Sequence, residues 1–145
     1  MRTRLGRRVI FALATCWCAA CTSVTEPGNE ERTPFPTPSW LPVAYNVLRS
    51  CVGRRPRVAL SDMHFYEVTQ QFIDERTGDR VHPARAFHNT NHIYIANWVM
   101  QYPRVWMHEM AHLMYHPGND HPAAIFEKCD LMDNLYQPRS LSWMP

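Results

Sequence analysis

Hydrophobic and polar positions along the chain change period several times, and each change marks an element. An uncharged run from Val9 to Ala20 comes first, followed from Thr22 to Ser39 by a stretch with Pro27, Pro34, Pro36 and Pro38 and few large apolar residues. After Pro42, Val43, Ala44, Val47, Leu48 and Cys51 recur at helical spacing, which predicts a helix over about Leu41 to Ser50. Arg57 to Leu60 and His64 to Val68 have the β-rich composition of short strands. Arg76-Thr77-Gly78-Asp79 is a turn signal ahead of another short strand near Val81. His92-Ile93-Tyr94-Ile95-Ala96 alternates between asparagine-rich flanks and is the clearest strand. Beyond Tyr102-Pro103 nearly every position is apolar except His108, Glu109, His112 and His116, until Pro117-Gly118 stops the helix. A helix apolar on almost every side belongs in the middle of a fold. Pro122 to Tyr136 has room for one short helix. The pattern predicts an α+β domain with a small mixed β-sheet, an early packing helix and a central, buried second helix.

The first residues change how the rest is counted. Arg2, Arg4, Arg7 and Arg8 precede the twelve residues from Val9 to Ala20, too few to span a bilayer, which takes about 20. Together they have the outline of a signal peptide over residues 1–20. Cys18-Ala19-Ala20-Cys21 resembles the lipobox of bacterial lipoproteins, with Cys18 where leucine is usual, and this resemblance makes Cys21 the lipidated first residue of the mature chain. Leu13-Ala14-Thr15-Cys16 is a poorer match. Residues 21–39 then read as a lipidated cysteine and an extended tether, and residues 40–145 as the domain.

Four of the 15 basic residues leave with the leader and none of the 13 acidic ones do, so the mature net charge is 11 − 13 = −2. The longest remaining basic cluster, Arg54-Arg55-Pro56-Arg57, is too small for a nucleic-acid face, and that class of partner is excluded. Of the five cysteines, Cys51 and Cys129 remain as an even pair in an oxidising compartment, where a disulfide is expected. Cys129 as a metal ligand is the weaker alternative, because structural zinc sites show close cysteine pairs.

His108-Glu109-Met110-Ala111-His112 places two imidazoles just over one helical turn apart. Their bases lie about 6 Å apart on one face, so both can converge on one tetrahedral zinc ion. Glu109, rotated about 100° from His108, meets water at the ion rather than the ion itself, as a general base requires. A chance match is the bland alternative, yet two histidines and a glutamate on an apolar helix carry a desolvation cost unless something satisfies them. For a third ligand the chain offers His121, after the turn Gly118-Asn119-Asp120, and the acids Glu127, Asp130 and Asp133; His121 ranks first and the acids remain open. His116 continues the i, i+4 series, but three imidazoles on one straight helix spread over about 12 Å. It reads as a helix-end cation instead. His64, His82, His88 and His92 read as ordinary surface or hydrogen-bonded imidazoles, and Tyr115, Tyr136 and the tryptophans as core or rim.

These residues resemble the zincin superfamily of H-E-x-x-H metallopeptidases, and within it the metzincins, where x-x-G-x-x-H follows the motif. Gly118-Asn119-Asp120-His121 supplies G-x-x-H three residues late, about 4.5 Å further along a helix axis. Met132, in Cys129-Asp130-Leu131-Met132, resembles the Met-turn methionine beneath the metal in that family. The leader, the motif and the cysteine together also resemble small bacterial lipoproteins taken to be metallopeptidases. The resemblance implies a zincin-like fold, a Zn2+ cofactor on His108, His112 and His121, and Glu109 as catalytic base. It also implies an edge strand ahead of the helix, at Asn91 to Ala96, that binds the peptide backbone. The expected function is zinc-dependent peptide hydrolysis in the bacterial cell envelope, by a monomer held to the membrane through Cys21. The alternative is a non-catalytic zinc-binding lipoprotein or an inactive scaffold. Substrate preference is not legible, because pocket walls set it.

Overall fold

A computed structural model describes residues 26–27, 31–69, 72–73, 80–118, 120–132 and 135. The signal-peptide and lipidation readings, the turn at 76–79, Asp133 and Tyr136 lie outside these residues. Strand β1 (Arg32–Pro34) is followed by helix α1 (Leu41–Val52), a 3-10 turn at Leu60–Asp62 and strands β2 (His64–Val68), β3 (Phe72–Ile73), β4 (Arg80–His82), β5 (Ala84–Phe87) and β6 (His92–Ala96). A second 3-10 turn at Asn97–Val99 leads to helix α2 (Pro103–Tyr115). The main sheet runs β1-β2-β6-β5, with β3-β4 as a separate pair. β2 and β6 are parallel, Phe65 opposite Ile93, while β1 and β5 pair antiparallel at the two edges. The architecture is α+β with a small mixed sheet. Among the described residues no helix is long and apolar enough to cross a membrane.

Each helix forms for reasons visible in its sequence. Pro42 suits the first turn of α1, and Gly53, at φ 74°, takes the left-handed conformation that closes its end with an N–H bond to the Arg49 carbonyl. Leu41, Ala44, Tyr45 and Leu48 form its buried face. Every residue of α2 from Arg104 to Tyr115 is buried. Trp106, 1 % exposed, meets Phe35, Trp40 and Phe65, each at 5.5 Å between ring centres, and joins the sheet to both helices. The disulfide Cys51–Cys129 is present, closing the end of α1 onto the chain beyond α2. Buried Arg104 pairs with Asp130, which fixes that segment a second time.

Four expectations change. The described residues of the stretch read as a tether do not hang free from the domain: β1 joins the sheet, Phe35 packs on Trp106, and Glu26 bonds to β6. Pro34 is admissible there because β1 is an edge strand, where a missing N–H is tolerated. Arg57 to Leu60 is not a strand; Pro56 precedes it, and the Arg57 N–H bonds to the Met114 carbonyl at the end of α2 rather than to a sheet neighbour. Within the stretch from Pro122 to Tyr136, the described residues 123–130 form a chain of turns, not a helix, ending at Asp130 with φ 55°. β6 is an interior strand, so the sheet edge on the side of α2 is β5, whose four residues after Pro83 were too short a signal to read.

Candidate metal centre

His108 and His112 lie one turn apart on α2, both buried, and the chain returns after the helix to bring His121 beside them. The three Nε2 atoms form a triangle of 3.0 Å (His108–His121), 3.2 Å (His112–His121) and 3.3 Å (His108–His112). Tetrahedral coordination with metal–nitrogen bonds of 2.0–2.1 Å requires nitrogen–nitrogen distances of about 3.3–3.4 Å. The triangle is close to that shape before any ion is placed.

Proton bookkeeping supports the same conclusion. His108 Nδ1 lies 2.8 Å from the Leu131 carbonyl, which only accepts, so Nδ1 carries the proton and Nε2 presents a lone pair to the centre. The His112 imidazole is held neutral, its pKa pushed down to about 3 by burial and then by His108 and His121. Burial likewise lowers His121, more than Asp120 raises it. Neutral imidazoles at His112 and His121 offer their converging nitrogens as ligands rather than repelling as cations. His112 Nδ1 is buried with no hydrogen-bond partner among the described residues, although the His116 main chain lies close enough to favour its N–H.

Beyond α2 the chain turns back and brings His121 to the other two imidazoles. Helix α2 ends at Tyr115, His116 is already extended, and His116 Nε2 meets Asp120 at 2.6 Å. Gly118 sits under that pair: a Cβ there would lie 2.5 Å from the Asp120 carboxylate and 2.8 Å from the His116 ring. A side chain at 118 would have to push these two side-chain ends aside. His116 stays outside the triangle, as expected.

Glu109 is buried on the side of α2 that faces β5. Burial pushes its carboxyl up to about 8, against the opposing influence of the Arg85 charge and of a hydrogen bond from the Ala86 N–H. His88 also belongs to this neighbourhood, lowered by its own burial and then by Arg57, His116 and Arg85. Of the rival ligands, Asp130 pairs with Arg104 and Glu127 is exposed. Met132, read as a Met-turn residue, is 42 % exposed. The ring beneath the three imidazoles is Phe126, fully buried, at 5.0 Å from His108, 4.6 Å from His112 and 4.8 Å from His121. Phe126, the Leu131 carbonyl and the Ala86 N–H carry no sequence signal, because a backbone group or a single phenylalanine becomes part of a site only through the fold.

Comparison with known proteins finds no family model, no curated protein and no solved structure that matches this chain. What the centre can do is therefore argued from the three histidines, which can hold a metal ion, and from the carboxyl beside them.

Proposed function

We propose that the protein is a zinc-dependent peptidase of the bacterial cell envelope, with His108, His112 and His121 holding the ion and Glu109 serving as catalytic base. The observation that carries this reading is the Nε2 triangle with a buried, non-ligating glutamate next in sequence to its first member. A site that only stores or uses zinc structurally needs the imidazoles but gains nothing from a buried carboxyl.

Bound zinc would supply a Lewis acid that polarises a scissile carbonyl and acidifies water. The chain's own groups do the rest. The Leu131 carbonyl fixes the His108 tautomer, and Phe126 holds the three rings at their mutual angles. Glu109, positioned by the Ala86 N–H, takes a proton from the attacking water and returns it to the leaving amine. β5, an antiparallel edge whose Ala86 N–H reaches Glu109, offers backbone groups to an extended peptide by strand addition. This assigns to β5 the role that the resemblance implied for β6.

The test pairs zinc content with cleavage of a broad peptide library, for the wild type and Glu109→Gln. Glu109→Gln is expected to keep one zinc and lose about 100-fold or more in turnover, the usual scale of a general base. A wild type that holds zinc but cleaves no member of the library contradicts the enzyme reading and leaves the zinc-binding lipoprotein.

A further inference from the structure

The face of the main sheet turned away from α2 carries a second polar cluster, unconnected with the metal. Tyr66 on β2 and His92 and Tyr94 on β6 alternate with Phe65 and Ile93, so they project on the opposite side of the sheet from Trp106 and the ligands. The Tyr66 and Tyr94 rings stack at 5.2 Å, and the Arg32 guanidinium lies 4.6 Å over Tyr66. Glu26 enters this layer from the N-terminal segment. Its carboxylate accepts hydrogen bonds from Tyr94 Oη at 2.6 Å, His92 Nδ1 at 2.5 Å and Thr90 Oγ1 at 3.2 Å, and it pairs with Arg32 at 3.5 Å. Hydrogen bonds to an ionised acceptor are roughly twice as strong as neutral ones. Burial alone would raise the Glu26 carboxyl, yet these donors hold it below the ordinary carboxylate range, so it remains ionised and bound near neutral pH.

Cys21, read as the lipidated residue, precedes Glu26 by five positions. Five extended residues span at most about 18 Å, whereas a chain free as far as Trp40 would reach about 70 Å. We propose that the Glu26 cluster seats the outer face of the sheet against the phospholipid surface that anchors Cys21, with the metal centre on the far side, facing the aqueous compartment. The proposal rests on the lipoprotein reading of the leader. It narrows the substrates to peptides that arrive from solution rather than from the bilayer.

The test uses full-length protein, processed in a bacterial host and reconstituted in phosphatidylethanolamine–phosphatidylglycerol vesicles with an acceptor dye on the headgroups. A donor dye is carried by an azide-bearing residue at exposed His64, on the outer face, or at exposed Lys128, beside the metal loop. Intact mass reports the lipid on Cys21. For a domain of this size, about 30 Å across, energy transfer from position 64 is expected to exceed that from position 128 at least about threefold. Glu26→Ala should bring the two close to equality without altering zinc content, a readout independent of whether the centre is catalytic. Equal transfer in the lipidated, unsubstituted chain, or greater transfer from position 128, overturns the orientation and leaves the lipoprotein reading standing. A chain without lipid on Cys21 overturns both.

Discussion

Burial drives Glu109 and His112 in opposite directions, because each is pushed towards its neutral form. In chelator-treated protein this has a definite sign. Glu109 has a folded pKa of about 8, above its unfolded value, so from about pH 4.5 to 8 the folded state holds a proton that the unfolded state releases, and stability falls as pH rises. His112, lowered to about 3, does the reverse: from about pH 6.5 down to 3 the unfolded state binds the extra proton, and stability falls as pH falls. The two slopes oppose one another between about pH 4.5 and 6.5, and only the glutamate's survives above. Denaturant unfolding of the metal-free protein should therefore lose about 2 kcal/mol between pH 6.5 and 8. Glu109→Gln should remove that decline, and an unchanged decline would show that another group causes it. Phe126 is the other residue to probe. Its replacement by alanine should cost about 3–5 kcal/mol as a buried phenylalanine, whereas Phe126→Leu fills most of the space and isolates the effect on the metal. Phe126→Leu is expected to weaken zinc binding about tenfold in chelator competition, the scale seen for groups that orient ligands. Unaltered affinity would reduce Phe126 to filler.

Among the elements, α2 was the most legible and the turns after it the least. Apolar residues on every side of α2, interrupted by His108, Glu109 and His112, announce both its burial and its chemistry, and Pro103 and Pro117-Gly118 bound it within two residues. Residues 122–131 have no such periodicity, since their order comes from tertiary ties: the Leu131 carbonyl on His108, Asp130 on Arg104, and Cys129 on Cys51. The disulfide bridges a separation of 78 residues and joins α1 to the segment that carries Phe126 and follows His121. Replacing Cys51 and Cys129 together with serine should cost about 4–5 kcal/mol in the chain-entropy limit. Zinc should also dissociate faster at temperatures where the fold persists, because the segment loses its one covalent tie. Thermal melts and zinc release to a chromogenic chelator measure the two effects separately; destabilisation with unchanged zinc release would detach the disulfide from the centre. β5 and β1 escaped the sequence for a related reason. Each is short and either contains or follows a proline, and each becomes a strand because β6 or β2 offers an unpaired edge.

At the scale of the whole molecule, the parallel pairing of β2 with β6 places the sheet between two unlike surfaces. One side packs on α2 and the candidate metal centre, and the other holds the Tyr66–Tyr94–Glu26 layer. Class and central helix were readable because period and burial are local properties of the chain. The order β1-β2-β6-β5, the edge position of β5 and the incorporation of residues 26–34 depend on contacts between distant segments, which no window of sequence contains. The claim on which the account depends is that three imidazoles from two separate segments hold one ion. Native mass spectrometry of the zinc-loaded protein tests it most directly, comparing the wild type with His121→Ala at a zinc concentration fixed by a competing chelator. The account predicts one zinc per wild-type chain and a loss of at least about 100-fold in affinity for His121→Ala, the loss of a whole ligand exceeding the 10–100-fold typical of outer-shell changes. Equal zinc occupancy in both proteins would contradict it.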